Sequence, residues 1–179
     1  MFGRHGTAVV MSSLALVASS VVWAPAGQAH EPVHGENVLC TGSSTSTYNP
    51  PLTLLPRPTH VQTHASYTCG VGPGRTVPAT GDLDGKSPSA SCITVNSPRL
   101  KEVVHYGDGK QSSIAYDSST TVRVAGVLVV RMSGRVVEGR GEGLTAHRTV
   151  AALPGELPTS CLLSGLEGSS GEAQLEIGS

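Results

Sequence analysis

Beyond residue 23 this chain has neither phenylalanine nor tryptophan; Phe2 and Trp23 are the only examples. The remaining aromatic side chains are Tyr48, Tyr67, Tyr106 and Tyr116. A core built on large rings is therefore excluded, as is a surface that grips sugars or bases by stacking on aromatic planes. Excess positive charge is also missing: 12 Lys and Arg stand against 13 Asp and Glu, so the footprint of a nucleic-acid binder is absent. After the N-terminal stretch no apolar run reaches the length of a membrane span. No long segment repeats its apolar residues at helical spacing. There is no C-x-x-C pair for dithiol chemistry, and no G-x-S-x-G, since Gly168-Ser169-Ser170-Gly171 has the wrong spacing.

What is present begins with an export signal. Arg4 and His5 form a short basic start, an apolar stretch follows from Ala8 to Trp23, and Gly27 and Ala29 sit at −3 and −1 of a cleavage point before His30. Residues 1–29 are thus expected to be removed, leaving a single extracellular domain over 30–179, with 30–37 as a flexible start. All four cysteines, Cys40, Cys69, Cys92 and Cys161, fall after that point. An even count in an exported chain implies two disulfides, at roughly 2–4 kcal/mol each. They would support a core limited to Val, Leu, Ile, Ala and a buried Tyr. Four cysteines allow three connectivities. Antiparallel pairing of Val38–Tyr48 with Val61–Cys69 would set positions 40 and 69 opposite each other, which favours Cys40–Cys69 and Cys92–Cys161.

Short β-branched runs bounded by Gly, Pro, Asn, Asp and Ser predict an all-β domain of about eight strands, an antiparallel sandwich or barrel. Besides the two strands just named, candidates are Ser91–Val95, Ala146–Leu153 and Ala173–Ile177. Two hairpins are expected. One spans Leu100–Tyr116 and turns at Gly107-Asp108-Gly109-Lys110. The other spans Thr121–Thr145 and turns at Ser133-Gly134, with Val130 facing Val137; its apolar face holds Val122, Val124, Leu128 and Val130, and its polar face Arg123, Arg131 and Glu138. Residues 70–90, rich in Gly and Pro, read as a long loop.

Several patterns could carry chemistry. A histidine exposed as a new N-terminus at His30 chelates Cu(II) through its amine and imidazole, with a second histidine completing the site. This resembles the arrangement of copper polysaccharide monooxygenases and some periplasmic copper carriers. His34, His60, His64, His105 and His147 are the available second ligands. His60 and His64 share one strand face but stand about 13 Å apart, too far for easy joint chelation, and read as surface residues. Gly81-Asp82-Leu83-Asp84-Gly85-Lys86 departs from a calcium loop at Lys86 and lacks the closing Glu, so it reads as a turn. Asp108 reads as a turn residue as well.

Cys40-Thr41-Gly42, Tyr48-Asn49-Pro50-Pro51-Leu52, Pro56-Arg57-Pro58, Tyr67-Thr68-Cys69, Gly109-Lys110-Gln111-Ser112, Ala125-Gly126, Val136-Val137-Glu138-Gly139 and Cys161-Leu162 together resemble a group of small secreted actinobacterial proteins of unassigned function. The resemblance covers most of residues 38–177. It implies a secreted β-domain and no activity. The expectation is a non-enzymatic binding or envelope-associated module with no cofactor, its partner an extracellular protein or a cell-envelope component. Its recognition surface would lie on residues 70–90 or on Gly139–Gly143. The alternatives are a secreted enzyme or copper protein using His30, and a secreted protease inhibitor.

Overall fold

Along the segment from Arg57 to Gly70, Val61, Thr63, Ala65, Tyr67 and Cys69 are buried while Gln62, His64, Ser66 and Thr68 are exposed. That alternation is the period of a strand with one face in a core and one in water. In the computed structural model, which describes residues 37–96, 99–124, 127–152, 161 and 163–179, it recurs around a closed sheet. The strands are β1 (Val38–Leu52), β2 (Arg57–Gly70), β3 (Thr76–Ala90), β4 (Val95–Asn96), β5 (Arg99–Tyr106), β6 (Gln111–Val124), β7 (Val127–Gly139), β8 (Thr145–Ala152) and β9 (Leu166–Gly178). Every pairing is antiparallel. β1 pairs with both β2 and β9, and β2 pairs on to β3, so eight strands close into an up-and-down barrel. The two-residue β4 only extends the edge of β3 beyond β5. The fold is thus a barrel rather than a sandwich.

One end of the barrel carries Cys40–Cys69, a cross-strand bridge between directly opposed residues of β1 and β2. The other carries Cys92–Cys161. These are the two favoured pairings. Val38, Cys40, Cys69, Val71, Val136 and Ile177 fill the Cys40 end, all of them almost fully buried. A smaller cluster of Leu52, Ala90, Cys92, Leu128, Ala152, Cys161 and Leu166 covers the Cys92 end.

Several sequence expectations are corrected. Ser133-Gly134 is no turn but the middle of β7, where Ser133 opposes Ser118 and His147. Val130 faces Thr121 and Val150 instead of Val137. A side chain at Gly134 would collide with the Ala115 carbonyl, so this glycine marks a close approach of two backbones. The same hairpin differs in its faces. β6 has register shifts at Ser113/Ile114 and Tyr116/Ser118, and near its end Val122 and Val124 are exposed while Leu128 of β7 is buried. Residues 70–90 are not a long loop. A short turn at 71–75 leads into β3, whose inward positions include Ala79, Gly81, Leu83 and Ser87. Its small residues hid the strand signal, and Gly81-Asp82-Leu83-Asp84-Gly85-Lys86 runs straight through it instead of turning. Of Ser91–Val95 only Val95 is strand. Ser91 Oγ accepts from the amides of Ile93 and Thr94, folding the segment into a turn.

The Leu100–Tyr116 hairpin, β8 and β9 lie where expected, β9 beginning earlier at Leu166. Leu153 lies outside the described residues, as do residues 1–29, read above as an export signal, and His30 and His34. Among the described residues no helix is long and apolar enough to cross a membrane.

Candidate functional site

An eight-stranded barrel has an interior just wide enough for side chains to fill or for one small ligand. Here the interior does both, in different halves. At mid-height Glu102 of β5 and Arg148 of β8 point inward, each with no exposed surface. Arg148 Nη1 donates to Glu102 Oε1. Tyr67 of β2 donates to the same oxygen at 3.2 Å, and Tyr116 of β6 donates to Oε2 at 2.7 Å. The carboxylate thus accepts from three donors, and a cation balances it. Gly81 makes this possible: a Cβ there would stand 2.6 Å from Glu102 Oε1 and 2.9 Å from the Tyr67 ring. Burial, then the neighbouring carboxylate, pushes both tyrosine pKa values up. Burial opposes the Arg148 cation, but Glu102 together with Tyr67 and Tyr116 outweighs it and holds the Arg148 pKa above its ordinary value.

Between this cluster and the Cys92 end lies a cavity of about 90 Å³. Val61, Leu83, Leu100, Leu128, Val130, Met132 and Val150 supply most of its apolar wall, Cys92 touches it, and Arg148 and Thr121 lend it polar atoms. Arg148 Nε and Nη2 and Thr121 Oγ1 are buried and have no hydrogen-bond partner among the described residues. Outside that end of the barrel the surface is apolar. Leu54, Leu55, Ile93, Val122, Val124 and Leu163 all belong to its connections or strand ends and are exposed.

The Cys40 end carries a different polar cluster. Asp108, in the β5–β6 turn, accepts from Arg140 Nη2 at 2.5 Å and Arg75 Nη2 at 2.9 Å. The Arg140 guanidinium lies 4.5 Å from the centre of the Tyr106 ring, and Ser112 Oγ donates to the Arg140 carbonyl at 2.7 Å. Hydrogen bonding from Arg140, more than the backbone amide of Lys110, holds the Asp108 pKa down. The turn residue expected at 108 is therefore also a clasp, tying the β5–β6 turn to the β2–β3 and β7–β8 connections. Gly139–Gly143 belongs to this clasped end.

The surface histidines pair with single carboxylates on the barrel exterior. His60 Nε2 lies 3.0 Å from Asp84 Oδ2, and His64 Nδ1 lies 2.8 Å from Asp82 Oδ1. His147 meets Ser133 Oγ at 2.9 Å on the outer face of β8, and His105 is exposed on β5. No three His, Cys, Asp or Glu residues are placed to hold a metal ion among the described residues.

The sequence reading missed Glu102 and Arg148. Their signal was parity: Leu100, Glu102 and Val104 share one face of β5, and Ala146, Arg148 and Val150 share one face of β8. A charge in register with apolar neighbours marks a buried, partnered group. Compared with known proteins, the chain matches no family model, no curated protein and no solved structure.

Proposed function

We propose that the chain is an exported, non-enzymatic binding module that holds a small, mostly apolar molecule in the barrel lumen. One observation carries the reading: a cavity of about 90 Å³, walled mainly by Val and Leu, at the one end of the barrel that the large side chains leave unfilled. Specific small-molecule sites are concave, mostly apolar and fixed by a few polar groups, and this cavity has that make-up. The exposed apolar side chains at the same end favour the approach of an apolar molecule. Two disulfides suit an oxidising compartment, in keeping with the N-terminal export signal.

The cavity is smaller than the about 150 Å³ that accepts benzene, so its enclosed part takes a molecule or headgroup of only a few heavy atoms. The test is a thermal-shift and native mass-spectrometry screen of small neutral compounds against the full chain and against Val150→Phe. Compounds that stabilise the wild-type protein are expected to lose their effect in the filled variant, since ligand stabilisation depends on the site being open. If no compound stabilises the wild type, or Val150→Phe responds equally, the lumen is not the binding site.

A further inference from the structure

The Arg148 guanidinium lies over the Tyr67 ring, 5.8 Å from its centre, but its hydrogen bonding is one-sided. Nη1 is taken by Glu102, while Nε and Nη2, the two nitrogens of the opposite edge, have no partner among the described residues. The residue has no exposed surface and lines the cavity. A buried guanidinium edge requires an acceptor, because leaving such donors unmet costs more than the average hydrogen bond contributes. Thr121, another residue of the lining, has a buried Oγ1 without a partner among the described residues, a group that can donate or accept.

Charge decides which acceptor fits. Arg148 is already balanced by Glu102, whose carboxylate also takes the hydroxyls of Tyr67 and Tyr116. A ligand carboxylate would bring a second anion into a lumen that is neutral without it, at a large desolvation cost. A ketone, ester or amide carbonyl offers lone pairs to the same edge and adds no charge. We infer that the lumen selects small neutral carbonyl compounds, with the carbonyl oxygen on the Nε/Nη2 edge of Arg148 and the apolar remainder against Leu128, Val130 and Val150. This rests on the lumen being the binding site and names its ligand class.

Three probes with five heavy atoms and a planar centre separate the possibilities: butanone, propanoate and 2-methylbut-1-ene. Binding to the full-length wild-type protein is measured at pH 7, with the Arg148 Nε–H resonance followed by nitrogen-edited NMR. Butanone is expected to bind at least tenfold more tightly than either analogue, because a site built to donate rejects molecules that leave its donors unmet. It should also shift the Arg148 Nε–H signal, and Arg148→Lys, which keeps the charge and loses the fork, should erase the preference. Equal binding of the alkene, or a stationary Nε–H signal, overturns the ligand class and leaves the lumen reading standing. Tightest binding by propanoate overturns the charge argument. If all three fail to bind, and the wider screen also finds nothing that Val150→Phe abolishes, the lumen reading falls and takes this inference with it.

Discussion

The two halves of the barrel share the same eight strands and the same girth, yet one is solid and the other is hollow. Toward the Cys40 end the lumen holds Tyr67, Tyr106 and Tyr116 together with Glu102, Val71, Val136 and Ile177. Toward the Cys92 end the wall is mostly Val, Leu, Ser and Thr, with Tyr48 as its single aromatic ring, and a cavity remains. The strands pair around both, with register shifts in β1–β9 and β2–β3 on the hollow side. Side-chain volume differs as well. With only four tyrosines and no Phe or Trp after residue 23, the barrel cannot fill both halves, and three of the four sit in the solid one. In a barrel of this size, where the bulk goes determines where a ligand can go.

The strongest way to break this comparison is to remove the charge at the boundary. Arg148→Met leaves Glu102 buried with only the two tyrosine hydroxyls, and should destabilise the protein by about 3–5 kcal/mol in urea unfolding. Arg148→Met combined with Glu102→Leu should recover most of that loss. A double variant no more stable than the single would show that the pair does not act as a unit.

Next in size are the staples, each worth roughly 2–4 kcal/mol. Their sequence separations of 29 and 69 residues differ too little in logarithm for stability to tell them apart. Ligand binding should tell them apart. Cys92→Ala with Cys161→Ala is expected to change the affinity for lumen ligands, because Cys92 lines the cavity, whereas Cys40→Ala with Cys69→Ala should leave it intact in the folded protein. Equal effects on affinity would mean that the halves are not separable.

The smallest effect concerns pH at the Cys40 end. Asp108 has a lowered folded pKa, so its contribution is present above its unfolded value of about 4 and is lost as pH falls through the folded value. Asp108→Asn should therefore lower Tm at neutral pH and flatten the acid limb of Tm against pH, with no change in ligand affinity. Asp84 is also lowered, by His60, but lies on the open exterior and should contribute little. An acid limb unaltered in Asp108→Asn would mean that the clasp does not stabilise the fold.

Much of the fold was legible in the chain. Short β-branched runs between turn residues marked β1, β2, β8, part of β9 and the β5–β6 hairpin. β3 was not legible: its inward residues Ala79, Gly81 and Ser87 are small, at Gly81 because Tyr67 and Glu102 already occupy the space, and a sequence window does not show what stands across the lumen. The turn assigned to Ser133-Gly134 failed for a related reason, since a glycine that admits a neighbouring backbone looks the same in sequence as one that bends the chain. The cavity itself could not be read at all. It is made by atoms that are not there, on six or more strands brought together only by closure of the ring.

That closure also gives the molecule a polarity. Val38 pairs with Ile177, so the first and last strands of the barrel lie side by side, and the start of β1 and the end of β9 both lie at the Cys40 end. A tether attached before Val38 or after Gly178 would therefore hold the barrel by its solid pole. The hollow pole would face away from the anchor, like the bowl of a spoon held by its handle.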